Sequence, residues 1–228
     1  MKHGRVSVLP ALMELAFVVV AAPLLAQQSS PFARVSRVLD RLSVVGSIGP
    51  SFYSDADIQS ALREDKNIAS PRNSQKEGPW TLSLRYLLTP TLEARVLYSD
   101  ARLGHTEGDG PGGWFSITKD VQSYAALVAV RVGKSIWLAA GPSLNRTGVY
   151  VDSATVPGVI LGGSIRAPLA GDHVFFEVGL EYRYVRPVDI GPISQMPILN
   201  TTVRVEVLPR TSVSLSYGLL SVGFGIRF

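Results

Sequence analysis

The chain ends on SYGLLSVGFGIRF (residues 216–228), and the reading of this stretch decides the fold. Counting back from the terminus, Phe228, Ile226, Phe224, Val222 and Leu220 form one series. Arg227, Gly225, Gly223 and Ser221 form the other. Successive side chains of a β-strand point to opposite faces. One face of this strand is therefore continuously apolar, while the other is small, polar or charged.

The same two-residue period recurs upstream. WTLSLRYLL (80–88) sets Trp80, Leu82, Leu84 and Tyr86 against Thr81, Ser83 and Arg85. TLEARVLYS (91–99) sets Leu92, Ala94, Val96 and Tyr98 against Glu93, Arg95 and Ser99. In HVFFEVGLEYRYV (173–185), Val174, Phe176, Val178, Leu180, Tyr182 and Tyr184 oppose Glu177, Gly179, Glu181 and Arg183. YAALVAVRV (124–132), SIWLAAGPSLN (135–145) and VILGGSIRA (159–167) repeat the pattern, with Arg131, Trp137 and Arg166 on the less apolar face.

Strands are expected near 43–53, 80–88, 91–103, 114–132, 135–149, 158–168, 173–186, 198–207, 211–217 and 219–228. That makes ten, with a tight turn around Gly218 separating the last two; merging segments gives eight as the alternative. Their connections alternate in length. TPT (89–91), GK (133–134), AGD (170–172) and LPR (208–210) are short, whereas 54–79, 104–113, 151–157 and 187–196 are longer and rich in Gly, Pro, Asp and Ser. Short turns alternating with long loops are the pattern of a transmembrane meander.

The amino terminus bears on the compartment. MKHGR is basic, VSVLPALMELAFVVVAAPLLA is apolar apart from Glu14, and a small residue precedes QQSS. This is the order of a secretory signal peptide, so residues 1–26 are read as a cleaved leader and 27–42 as a periplasmic segment. SSPFARVSRVLDRL (29–42) has helical spacing, with Ser30 as cap and Pro31 in the first turn. DADIQSALRED, with Ile58 and Leu62 four apart, reads as a short surface helix inside the first long loop. The 228 residues include no cysteine, and the net charge of +4 comes without a Lys/Arg-rich run, which argues against disulfides and against nucleic acid as a partner.

If the sheet closes on itself, its exterior is apolar and its charges point inward: Arg85, Glu93, Arg95, Arg131, Arg166, Glu177, Glu181, Arg183, Arg204, Glu206 and Arg227. Lipid demands such closure, because an open edge leaves backbone groups unpaired in hydrocarbon. A soluble sandwich, burying its apolar faces against each other, accommodates the same letters. The leader and the loop alternation favour the membrane.

Over residues 43–228 the chain resembles a small outer-membrane β-barrel protein of the OmpA/OmpX-like type, on this alternation and on the ending VGFGIRF. The resemblance implies an all-β, antiparallel up-and-down transmembrane barrel, monomeric, in the outer membrane of a Gram-negative-type bacterium. It also implies handling by periplasmic chaperones and the barrel-assembly machinery, with Phe224, Ile226 and Phe228 carrying the assembly signal.

For function, the inward charges are expected to form a packed electrostatic core, since a barrel of eight to ten strands leaves little room beyond side chains. A narrow pore for ions or small solutes is the competing reading. A rim-sited lipid or peptide hydrolase is a third, resting on His105 beside Asp100, Glu107 and Asp109. His105 lacks a second histidine or a nucleophile motif, and His173 falls at a turn. The expectation is a non-enzymatic barrel with a structural or surface-contact role, with no cofactor or metal site. The glycines at 162–163 and 223–225 are expected to relieve crowding between strands rather than to bind nucleotide, for which the spacing is wrong.

Overall fold

The computed structural model describes residues 38–54, 56–58, 60, 69–74, 78–110, 113–149, 152–170, 173–195, 205–208 and 210–228. The leader (1–26) and most of the expected helix at 29–42 lie outside the described residues, as does Leu62. Fourteen strands are described. They are β1 (Leu42–Ile48), β2 (Ser51–Tyr53), β3 (Ala69–Ser74), β4 (Trp80–Thr89), β5 (Leu92–Gly110), β6 (Gly113–Val132) and β7 (Ile136–Val149). There follow β8 (Asp152–Ala170), β9 (Val174–Val185), β10 (Val188–Ile190), β11 (Ile193–Gln195), β12 (Val205–Leu208), β13 (Thr211–Val213) and β14 (Tyr217–Arg227).

Eight of them close a ring in the order β1-β4-β5-β6-β7-β8-β9-β14, and β14 returns to β1 with Ser43 opposite Arg227 and Ile48 opposite Val222. Every pairing in the ring is antiparallel. β2 continues β1 along the same neighbour, with Tyr53 opposite Tyr217. The break between them falls at Gly49-Pro50. Pro50 has no N–H to give a ladder, and a Cβ on Gly49 would stand 1.8 Å from the carbonyl oxygen of Leu220.

The ring therefore has eight staves, not the ten expected first. Gly218 is not a turn: it sits inside β14, opposite Tyr182 on one side and Phe52 on the other. The segment between β9 and β14 leaves the wall, where β10 pairs with β13 and β11 with β12 as separate two-stranded sheets. Pro187 and Pro192 stand on either side of β10 in this connection, and neither has an N–H to give a ladder.

All four expected long loops contain strand, and two of them extend the staves of the wall. β5 and β6 remain paired as far as Gly110 and Gly113, and β7 and β8 as far as Val149 and Asp152. Short turns gather at the opposite end, around 90–91, 133–135 and 173, with Gly133 at φ 72°. Both ends of the ring, Leu42 and Phe228, lie there too, where the Phe228 N–H donates to the carbonyl of Leu42.

The expected face assignment holds along most of the wall, but Tyr86, expected outward, is buried. Ile48, Leu82, Val128, Leu138, Leu161, Leu180 and Phe224 are exposed on the outside of the wall. Trp80, Tyr98 and Tyr124 form an outward aromatic row, with ring centroids 5.2 Å and 5.1 Å apart. Phe176 and Phe224 form a second pair at 5.5 Å toward the short-turn end. The glycines among the staves relieve crowding, as expected. A Cβ on Gly225 would lie 2.2 Å from the Phe175 ring, and one on Gly223 would lie 2.6 Å from the Gly46 carbonyl oxygen.

Candidate functional site

Inward-facing side chains fill the lumen in layers. Nearest the short turns is an ionic cluster built from β4, β5, β8 and β9. Arg85 grips Glu177 with both terminal nitrogens, Nη1 to Oε2 at 2.6 Å and Nη2 to Oε1 at 2.8 Å. Arg166 holds Glu93 the same way, both contacts at 2.8 Å, and donates Nε to Glu177 Oε2 at 2.6 Å. Arg95 donates Nε to Glu93 Oε1 at 2.6 Å. Such bidentate, charge-assisted pairs are the strong class of hydrogen bond.

The bidentate Arg85–Glu177 and Arg166–Glu93 bonds cross the interior, whereas Arg166 and Glu177 are cross-strand neighbours on the wall and Arg95 and Glu93 share β5. β4 and β9 are separated by β1 and β14, and β5 and β8 by β6 and β7. All five side chains are buried. The Arg166 guanidinium also lies over Trp137, 4.5 Å from the ring centroid, and 5.3 Å from that of Phe175. Cation and aromatic face attract at such distances.

Above this cluster stands Arg183, 1% exposed. It donates to Glu181 Oε2 from Nε (3.0 Å) and Nη2 (2.7 Å), to Tyr217 Oη (3.2 Å) and to Thr81 Oγ1 (3.2 Å). A neutral polar set follows, in which Ser123 Oγ donates to Asn145 Oδ1 at 2.7 Å and Asn145 Nδ2 to Ser143 Oγ at 3.1 Å. Asn145 heads a glycosylation-type tripeptide in the sequence, but its side chain is buried inside the barrel.

The far end is closed by an apolar plug. Ala101, Leu103, Ile117, Val121 and Val149 of the wall pack with Ile190, Val213, Leu215 and Ile58 from the two long connections. Ile58 is helical, as expected, but fully buried instead of lying on the surface. Asp57, beside it, ties the plug together. Its Oδ1 lies 3.3 Å from Lys119 Nζ on β6, and its Oδ2 accepts the Ser214 N–H at 2.6 Å. One carboxylate thereby joins both connections to the wall.

Of the inward charges expected from the sequence, Arg85, Glu93, Arg95, Arg166, Glu177, Glu181 and Arg183 come together in the two ionic layers. The others do not. Arg131 is exposed at the rim, where Nε donates to the Lys134 carbonyl at 2.9 Å. Arg227 is half-buried at the same rim, its N–H on the His173 carbonyl at 2.7 Å. Glu206 belongs to β12, paired opposite Ser194 and outside the ring, and Arg204 lies outside the described residues.

Phe224, Ile226 and Phe228 form an exposed outward row at the seam. His105 is part of β5, with its backbone between Ser74 and Thr118. Lys119 and Asp57 were not anticipated. Lys119 shares the parity of Ile117, Val121 and Ser123 in SITKDVQS, so alternation alone identifies it. Asp57 has no such signal, because its role depends on how a loop folds back.

No protein-family model and no curated protein matches the sequence. Among solved structures, Neisserial surface protein A aligns over 82% of this chain and 96% of its own at 15% identity, with a TM-score of 0.45. The Yersinia pestis outer membrane protein Ail in a phospholipid bilayer nanodisc aligns over 82% and 99% at 15% identity, with a TM-score of 0.37. The N-terminal barrel domain of Pseudomonas aeruginosa OprF covers 82% and 98% at 11% identity, with a TM-score of 0.36. The ring itself, closed, antiparallel, apolar outside and charged within, has the fold of a small outer-membrane β-barrel of the OmpA/OmpX-like type.

Proposed function

We propose that this chain is an integral outer-membrane protein whose closed barrel serves a structural or surface-contact role, not conduction or catalysis. The observation that carries the reading is the lumen, crossed by buried bidentate ion pairs near one end and blocked by an apolar plug at the other. An aqueous path needs a continuous polar channel, and eight staves enclose only enough space for side chains. The outward apolar wall matches the bilayer in span. From Phe176 to Tyr184 the alternating face runs over nine residues, within the ~9–11 that a tilted strand needs to cross a bilayer.

In this reading the amino-terminal leader is removed after Ala26 and the mature chain begins at Gln27. Phe224, Ile226 and Phe228, exposed on the closing stave, are the row that the assembly machinery recognises. The chain works as a monomer.

Planar-bilayer recording on protein refolded from the mature sequence tests the closed lumen. Silent bilayers, from preparations whose gel mobility shifts on heating, are the expected result. Discrete, reproducible conductance steps would replace this reading with the narrow pore. Lipid or peptide hydrolysis that is lost on His105→Ala would replace it with the rim enzyme.

A further inference from the structure

The lower ionic cluster is not electrically balanced. Glu177 is saturated by Arg85 and Arg166, and Glu93 by Arg166 with the Nε of Arg95. Three guanidinium groups thus share two carboxylates. The other inward charges among the described residues pair off, Arg183 with Glu181 and Lys119 with Asp57. One positive charge remains in excess inside a closed wall. An uncompensated buried charge is costly, and proteins supply a counter-charge or neutralise the group.

Two buried donors mark where a counter-charge belongs. Arg95 Nη2 and Ser164 Oγ have no hydrogen-bond partner, and their residues are only 6% and 7% exposed. Arg95 and Ser164 line one cavity of about 10 Å³, the space of a single water-sized occupant. Leu127, Ala139 and Ile160 supply apolar wall, while Gly162 and Gly179 face inward without side chains to fill it. Glu177 and Glu181 also line the cavity. The oxygens of Glu177 are engaged by Arg85 and Arg166, and Oε2 of Glu181 by Arg183, while Glu181 Oε1 accepts no hydrogen bond among the described residues.

We propose that this cavity is a binding site for one chloride ion, held by Arg95 Nη2 and the Ser164 hydroxyl. A water molecule satisfies the two donors but leaves the excess charge. A monoatomic anion does both, after a few tenths of an ångström of outward give. Sulfate, carboxylates and gluconate are too large to enter. The site stands on the lumen geometry alone and holds whether or not the barrel conducts or contacts a surface partner.

Two measurements on the full refolded barrel test it. Crystals grown or soaked in sodium bromide should show an anomalous peak within hydrogen-bonding distance of Arg95 Nη2. The urea midpoint of the wild-type protein should rise saturably as sodium chloride replaces sodium gluconate at constant ionic strength. Ser164→Ala keeps every charge and should raise the half-saturating chloride concentration about tenfold, the effect of losing one hydrogen bond to an ion. Arg95→Gln should abolish the chloride dependence. Either a cavity without bromide density or a wild-type midpoint identical in the two salts overturns the proposal, and both readings come from the unmutated chain.

Discussion

Changing Glu177 to glutamine tests how much of the fold depends on the crossed ion pairs. Glu177 accepts three short hydrogen bonds, two from Arg85 and one from Arg166. Its side chain is 10% exposed and the two arginines are 6% and 8% exposed. Glutamine keeps the shape and one acceptor but removes the charge, leaving three guanidinium groups facing Glu93 alone. Breaking a buried pair by removing one partner costs about 3–5 kcal/mol. That corresponds to roughly 140-fold to 3,700-fold in the folded-to-unfolded ratio, at about 1.4 kcal/mol per tenfold. Urea unfolding of the refolded barrel reads it, followed by the fluorescence of Trp137 beneath Arg166. The added change Arg85→Met removes the cation that Glu177 neutralised, so the double variant should recover at least half of the loss. A Glu177→Gln midpoint equal to wild type, or strictly additive losses in the double variant, would refute the packed ionic core.

Three further outcomes follow from other parts of the molecule. Asp57→Asn removes the charge that ties both long connections to Lys119; it should raise the trypsin cleavage rate at exposed Arg210 about tenfold, in line with ~1–2 kcal/mol of local loosening, while the wall melts almost as before. Gly225→Val places carbon where the Phe175 ring stands 2.2 Å away and should cost about 1–3 kcal/mol by overpacking, read as a lower urea midpoint. Deleting Phe228, exposed at the closing seam, should lower the fraction of heat-modifiable folded protein in the outer-membrane fraction, and unchanged assembly would count against its role as a signal.

The wall was legible in the sequence because a strand with lipid on one side and packed charge on the other obeys a strict two-residue period. Leu82 against Arg85, or Leu180 against Glu177, needs no tertiary information to assign. What failed was counting. SVSLSY and the run after Gly218 look like two strands, yet β14 is continuous from Tyr217, since a glycine inside a stave is only a gap in its outer face. The hairpins β5–β6 and β7–β8 were cut short because Gly, Asp and Thr resemble loop composition; backbone pairing sustains them where side-chain propensity does not. A register shift between Arg102 and Gly104 further masks the alternation there. The ionic layers were readable as a set but not as pairs, because Arg166 and Glu93 are 73 residues apart and meet only once the ring closes. Asp57 and Ile58 were illegible, since a loop residue reveals no face until the loop is docked.

The long hairpins also fix how deeply the molecule sits. In the staves flanking the short turns, the outward positions are Leu, Val, Ile and Phe. Higher on the same strands they become Arg102 and Arg146, both exposed, while the inward positions become Leu103, Ile117 and Val149. A single strand such as β5 therefore obeys two opposite conventions along its 19 residues, one suited to hydrocarbon and one to water. The changeover acts as a waterline. Sinking the barrel by two residues, about 6–7 Å along a strand, would drag guanidinium groups toward the hydrocarbon, where each costs ~2–4 kcal/mol at mid-depth. Raising it by the same amount would bring Leu180 and its neighbour Leu220 toward water. A bilayer of the wrong thickness must then deform to meet this protein, because the protein has no second depth at which to float.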